Sequence, residues 1–172
     1  MFGLQIHVIL TISSIGPNAG DLSFLFHKHP ERVQEFALSF GRVLVFYPRY
    51  GATVCEVALL LDLDPLRLAG RGEHIGLPLY PYVNDRPYVA SSFLSVALSD
   101  VFRSAMNGQC KTRPELVNTS FHFEVKLPCL PVRGNLSLSD LFGPLGYRVH
   151  ITEFPLDTAF PELGQSPYVP CS

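Results

Sequence analysis

The chain has 172 residues, 47% hydrophobic and only 16% charged, with a formal net charge of −2. That composition excludes a disordered, aromatic-poor chain, and it excludes a protein that grips nucleic acid through bulk positive charge, although a local basic patch remains compatible with it. The length suits a single domain, since domains commonly run about 100–200 residues.

Phe is abundant (13), Trp is absent and there are 15 prolines. Phe must therefore supply much of the large core area, and the prolines exceed what helices absorb. The expected class is α+β: a largely antiparallel mixed sheet packed by one long helix and a few short ones.

In chain order, Leu4, Ile6, Val8, Leu10 and Ile12 alternate, so residues 4–13 read as a buried strand. Gln5 and His7 interrupt the apolar run and there is no basic leader, which disfavours a signal peptide. Residues 15–20 carry loop chemistry. Asp21 can cap a helix through Leu22–Lys28, with Pro30 ending it and Glu31–Glu35 adding one more turn. Residues 42–47 form a strand stopped by Pro48. Residues 53–63 form its hairpin partner after a turn at Arg49–Ala52, with an apolar run that fits a central strand covered on both faces.

Residues 64–81, with repeated Gly and Pro, read as a long irregular connection. Residues 90–106 give the clearest helix. Phe93, Val96, Ala97, Val101, Phe102 and Ala105 form its apolar stripe, Ser91 or Ser92 caps it, and Asn107-Gly108 stops it. Residues 120–127 alternate as a half-buried strand, Ser137–Leu145 as a short helix broken near Gly143-Pro144, and residues 147–154 as the last strand. No boundary is visible before about residue 155. The expected organisation is residues 1–155 as one domain and residues 156–172 as a loosely held Pro-rich tail.

Cys55, Cys110, Cys129 and Cys171 are widely spaced and form no Cys-x-x-Cys pair, which fits free thiols in a reducing compartment. No run reaches the about 18 apolar residues of a membrane span, so a cytoplasmic location is expected.

Motifs for bond-making chemistry are missing. There is no phosphate loop, no Gly-x-Gly-x-x-Gly turn after a strand and no Gly-x-Ser-x-Gly elbow. His27-Lys28-His29 suggests a metal. However, alternate residues of a helix diverge and a third ligand is lacking, so hydrogen-bonding residues at a helix end are the plainer reading. Asn84-Asp85-Arg86-Pro87 reads as a turn in which Arg86 could also clamp an anion. Arg103, Lys111 and Arg113 form the best basic cluster, either a solvated face or a contact to RNA phosphates or an acidic partner. Tyr80, Tyr82 and Tyr88 could stack a base or anchor an interface.

The run Tyr82-Val83-Asn84-Asp85-Arg86-Pro87-Tyr88-Val89-Ala90-Ser91-Ser92-Phe93-Leu94-Ser95-Val96-Ala97 resembles the signature of the N-terminal domain of bacterial 3′-terminal RNA ribose 2′-O-methyltransferases. The resemblance continues at Phe24-Leu25-Phe26-His27-Lys28-His29-Pro30, Phe40-Gly41-Arg42, Phe46-Tyr47-Pro48, Arg113-Pro114-Glu115-Leu116, Leu141-Phe142 and Pro144-Leu145-Gly146-Tyr147. It covers roughly residues 8–168, with Gln109 where the family commonly has Arg and Leu163 in place of a Trp.

The resemblance implies a non-catalytic accessory module of RNA repair. It would bind and activate the ligase of a polynucleotide kinase–phosphatase–ligase. In full-length members a separate C-terminal domain carries S-adenosylmethionine and a divalent metal and methylates RNA 3′ ends. This chain stops before such a domain, so no cofactor, no metal and no enzyme activity are expected, and the sheet is expected to be an incomplete version of the family domain. The alternative is an RNA-end or tRNA recognition module serving a separately encoded methyltransferase. Candidate partner- or RNA-binding residues are Tyr82, Asn84, Asp85, Arg86, Tyr88, Arg103, Lys111 and Arg113, with His27, Lys28 and His29 as a family motif.

Overall fold

A computed structural model describes residues 6–64, 86–131, 137–166 and 168–172. The chain divides into two compact units, Met1–Phe123 and Glu124–Ser172. The class is α+β, with antiparallel strand pairing throughout the described ladders. From residue 65 the predicted connection over 64–81, and with it Tyr82, Asn84 and Asp85, lies outside the described residues.

In the first unit, β1 (Ile6–Ile15), β2 (Gln34–Leu38), β3 (Gly41–Tyr50) and β4 (Val54–Leu63) form a sheet in the order β2-β3-β4-β1. The predicted hairpin of the third and fourth strands is present and β4 is central. Its alternation decides the faces: Cys55, Val57, Leu59, Leu61 and Leu63 are 0–1% exposed. Burying each such leucine contributes about 1.5–3 kcal/mol. The opposite face is less completely covered: Ala58 is buried, while Glu56, Leu60 and Asp62 are half-buried. On that face Asp62 accepts from Arg42 Nε on β3 at 2.9 Å and lies 3.3 Å from His7 Nδ1 on β1.

Pro48 does not stop β3. The strand runs on to Tyr50, and the register with β4 shifts between Phe46 and Arg49. A bulge leaves a residue outside the ladder, so a missing N–H is tolerated there. The turn consequently falls at residues 51–53. The helical turn expected at Glu31–Glu35 is also replaced, because Gln34–Leu38 pair with β3. Phe36 and Leu38 then pack against the core, and tertiary burial outweighs local helix preference.

The helices lie against the buried face through α1 (Leu22–Phe26), α2 (Arg86–Val101) and α3 (Arg103–Met106). The predicted helix over 90–106 is thus longer at its start and broken at Phe102, and Ser91 and Ser92 fall inside it rather than at its cap. Its stripe is shifted: Leu94 and Leu98 pack on the core while Val96 is exposed. The stop at Asn107-Gly108 holds. Gly108 has φ +63°, its N–H bonds Ala105 O at 3.0 Å, and the Gln109 N–H bonds Ser104 O at 2.8 Å. This paired closure fits a glycine in the left-handed region.

In the second unit, β5 (Phe123–Pro131), starting at its boundary, pairs with β6 (Tyr168–Cys171). β5 begins three residues later than the predicted strand over 120–127, and its Phe123 and Val125 are exposed. The short α4 (Leu138–Phe142) has the expected Ser137 cap, whose Oγ accepts the Asp140 N–H, and a 3₁₀ turn follows at Gly143–Leu145. The strand predicted over 147–154 is reduced to one isolated bridge, Ile151 to Cys171, with a second just past it at Pro155. The end of the Pro-rich tail carries β6 instead, with backbone bonds between His150 and Ser172 in both directions.

Gly41 sits where β3 leaves the β2 hairpin, and a Cβ there would lie 2.1 Å from the Asp62 carbonyl oxygen. The obstacle is backbone of the central strand, so it cannot swing away. Gly41→Ala is expected to destabilise the chain by about 3 kcal/mol or more, above the usual overpacking range. Urea unfolding would measure it, and a loss under 1 kcal/mol would refute this packing.

Candidate functional site

A cleft of about 880 Å³ opens in the first unit beside the end of α1. Its walls come from His27-Lys28-His29-Pro30, the lead into β2, Tyr50 at the end of β3, and Thr112.

Local backbone chemistry builds this wall. α1 has only five residues, too few to be stable without packing. It is buried through Leu22 and Phe26 and ended by His27, which takes a left-handed backbone at φ 53°. The His27 N–H bonds Phe24 O, and the Lys28 N–H bonds Ser23 O, both at 3.2 Å. The helix thus closes as many helices do, with His where Gly is usual. The cap predicted at its start is absent. Asp21 is itself helical and makes no cap bond; its carboxylate instead receives Arg113 Nη1 at 2.6 Å.

The segment after the helix is pinned on both sides. Tyr47 Oη donates to Lys28 O at 3.2 Å, and Gln34 Nε2 donates to His29 O at 3.3 Å. Burial pushes the Tyr47 phenol well above its ordinary pKa, so it stays a donor. His27 Nε2 accepts the Lys111 N–H and His29 Nδ1 accepts the Glu31 N–H, each at 3.3 Å. Each ring therefore offers one nitrogen as a hydrogen-bond acceptor. The hydrogen-bonding reading of His27 and His29 describes this arrangement. Among the described residues no three His, Cys, Asp or Glu side chains gather as a metal site.

Lys28 is different. Its Nζ lies 4.9 Å from the Phe36 ring centroid and 5.8 Å from that of Phe102. Partial burial lowers its pKa below the ordinary lysine value. Two aromatic faces stabilise the cation by about 0.5–1 kcal/mol each at exposed sites, and no acid among the described residues lies within ion-pair distance.

The other candidates divide. Arg103 pairs with Asp100 at 2.6 Å. Arg113 pairs with Asp21 at 2.6 Å and Glu115 at 2.9 Å, and its guanidinium carbon lies 5.6 Å from the Phe24 ring. Both arginines therefore have acidic partners within the fold. Lys111 is tied in by its backbone, while its side chain is exposed. Arg86 and Tyr88 are placed on α2 by its backbone. Tyr82, Asn84 and Asp85 lie outside the described residues.

Sequence reasoning missed Val33, Phe36, Tyr47 and Tyr50 as parts of the cleft and its support. Only Tyr47 carried a signal, within Phe46-Tyr47-Pro48. Residues 8–172 match the family described as the ligase-Pnkp-associating region of Hen1, in RNA repair. No curated protein matches the chain.

Two substitutions test this construction. Because burial holds the folded-state pKa of Lys28 below 10.5, its charged form carries a desolvation cost at neutral pH, and stability from this group grows as pH rises toward the unfolded value. Lys28→Met should therefore keep or raise Tm at pH 7 and flatten the rise toward pH 10, followed by thermal unfolding across that range; a drop of several degrees at pH 7 would contradict it. At His27, glycine escapes the left-handed penalty of about 1–2 kcal/mol that alanine retains, and both lose the ring acceptor. His27→Gly should be more stable than His27→Ala by about 1 kcal/mol in denaturant unfolding; equal stabilities would contradict the backbone assignment.

Proposed function

The chain belongs to the ligase-Pnkp-associating region of the RNA-repair protein Hen1, and from that premise we propose that it is a docking module that binds the ligase of a polynucleotide kinase–phosphatase–ligase and raises its ligase activity. The observation that carries this reading is the match over residues 8–172, almost the entire chain. The module works by surface and shape, without turnover of its own. The methyl mark on RNA 3′ ends comes from the separate domain of family members that carry one.

The geometry supports a protein partner better than an RNA backbone. Arg103 and Arg113 are occupied by acids of the fold, and the formal net charge is −2. Binding through phosphates needs several free cations acting together and is correspondingly salt-dependent.

Adding the purified chain to the partner should speed formation of the ligase–adenylate and give a measurable Kd in the micromolar range or tighter by calorimetry. The chain alone should consume no S-adenosylmethionine and leave RNA termini unchanged. Failure to bind at tens of micromolar, or methyl transfer by the chain alone, would overturn the reading.

A further inference from the structure

Among the described residues, the half-buried Lys28 on the cleft wall has no acid within ion-pair distance. Arg42, Arg49, Arg103 and Arg113 each reach a carboxylate within 4.0 Å. Lys28 and Arg32 line the cleft, and neither has an acidic partner among the described residues. For Lys28 the omission matters more, because its side chain is half-buried and its ammonium lies over the Phe36 and Phe102 rings. A partner carboxylate arriving there meets a cation held in place and partly desolvated, where a charge-assisted hydrogen bond is strongest.

The rest of the wall states what else the occupant carries. Val33 is 61% exposed, and Phe24 and Tyr50 are also exposed. These side chains border the same cleft, and aromatic residues such as Phe24 and Tyr50 are enriched at protein interfaces. Glu31 and Glu35 stand there as well. A phosphodiester chain, charged at every nucleotide, would meet those carboxylates. A polypeptide bringing a single carboxylate among apolar side chains meets that repulsion with one charge only, set against Lys28 and Arg32.

We propose that this cleft seats an acidic–apolar segment of the ligase, with one carboxylate closing on Lys28 and Arg32 while its apolar neighbours cover Val33, Phe24 and Tyr50. The proposal rests on the ligase-docking reading and deepens it. The backbone pinning at Lys28 O and His29 O means that the seat is formed before the partner arrives, which lowers the ordering cost of association.

The test titrates the complete chain and its Lys28→Met, Lys28→Arg and Val33→Asp variants against the intact polynucleotide kinase–phosphatase–ligase by calorimetry, with a 3′-hydroxyl RNA oligonucleotide in a parallel arm. Lys28→Met and Val33→Asp should each weaken ligase binding tenfold or more. Lys28→Arg, which keeps the charge, should stay within threefold of wild type. If wild type binds and both weakening variants bind within threefold of it, the cleft is not the seat and the docking reading stands without it. Failure of wild type to bind removes both. RNA affinity lost in the variants with ligase affinity retained overturns the proposal in favour of a nucleic-acid site. Val33 is exposed, so Val33→Asp tests the seat independently of Lys28.

Discussion

The amino-terminal unit is organised by the need to cover one face of its central strand. Cys55, Val57, Leu59, Leu61 and Leu63 all point to that face and are sealed from water. Burial on this scale fixes the register of the neighbouring strands, since a slip of one residue would turn every apolar side chain to the other side. It also fixes where the helices lie, because Phe26, Ala97, Val101 and Phe102 complete the same cluster. The Cys55 thiol records the depth of the seal, its pKa pushed up to about 11 by burial.

The cleft is a consequence of that covering. A five-residue helix would not persist alone; α1 exists because Leu22 and Phe26 are needed over the strand. Its end therefore falls at a set place, and His27 must turn the chain in the left-handed region. From that turn the next residues lead into β2, and Tyr47 and Gln34 hold the carbonyls of Lys28 and His29. Lys28 is carried between Phe36, from the sheet, and Phe102, from the break between α2 and α3. A surface feature built this way is tied to the core beneath it by Tyr47 and Phe36. That suits a module whose proposed task is to present a shape to another protein.

Much of the sheet was legible because its signals are local. The alternation at Val8, Leu10 and Ile12 and the apolar run of β4 announced strands, and Asn107-Gly108 announced a helix stop. Three features were not legible because distant residues decide them. Glu31–Glu35 reads as a helical turn, yet Gln34 and Glu35 pair with β3. Pro48 looks like a terminator yet is absorbed where the ladder slips. Asp21 looks like a cap yet answers Arg113, 92 residues away. The candidate site split along the same line. His27, Lys28 and His29 stand together in sequence and in space, while Arg103 and Arg113, attractive as bare cations, have their acids within the fold. The aromatic partners of Lys28 come from opposite ends of the unit, and no spacing rule joins positions 36 and 102.

Family membership says that this region associates with a ligase, and the seat proposed for that contact is the cleft lined by residues 27–36. The most direct measurement is amide hydrogen exchange of the full chain, followed by mass spectrometry, with and without the polynucleotide kinase–phosphatase–ligase. The account predicts slowed exchange in peptides covering residues 27–36 and the end of β3 at Tyr50 when the partner is present. Protection confined to other segments, with exchange at 27–36 unchanged, would contradict it.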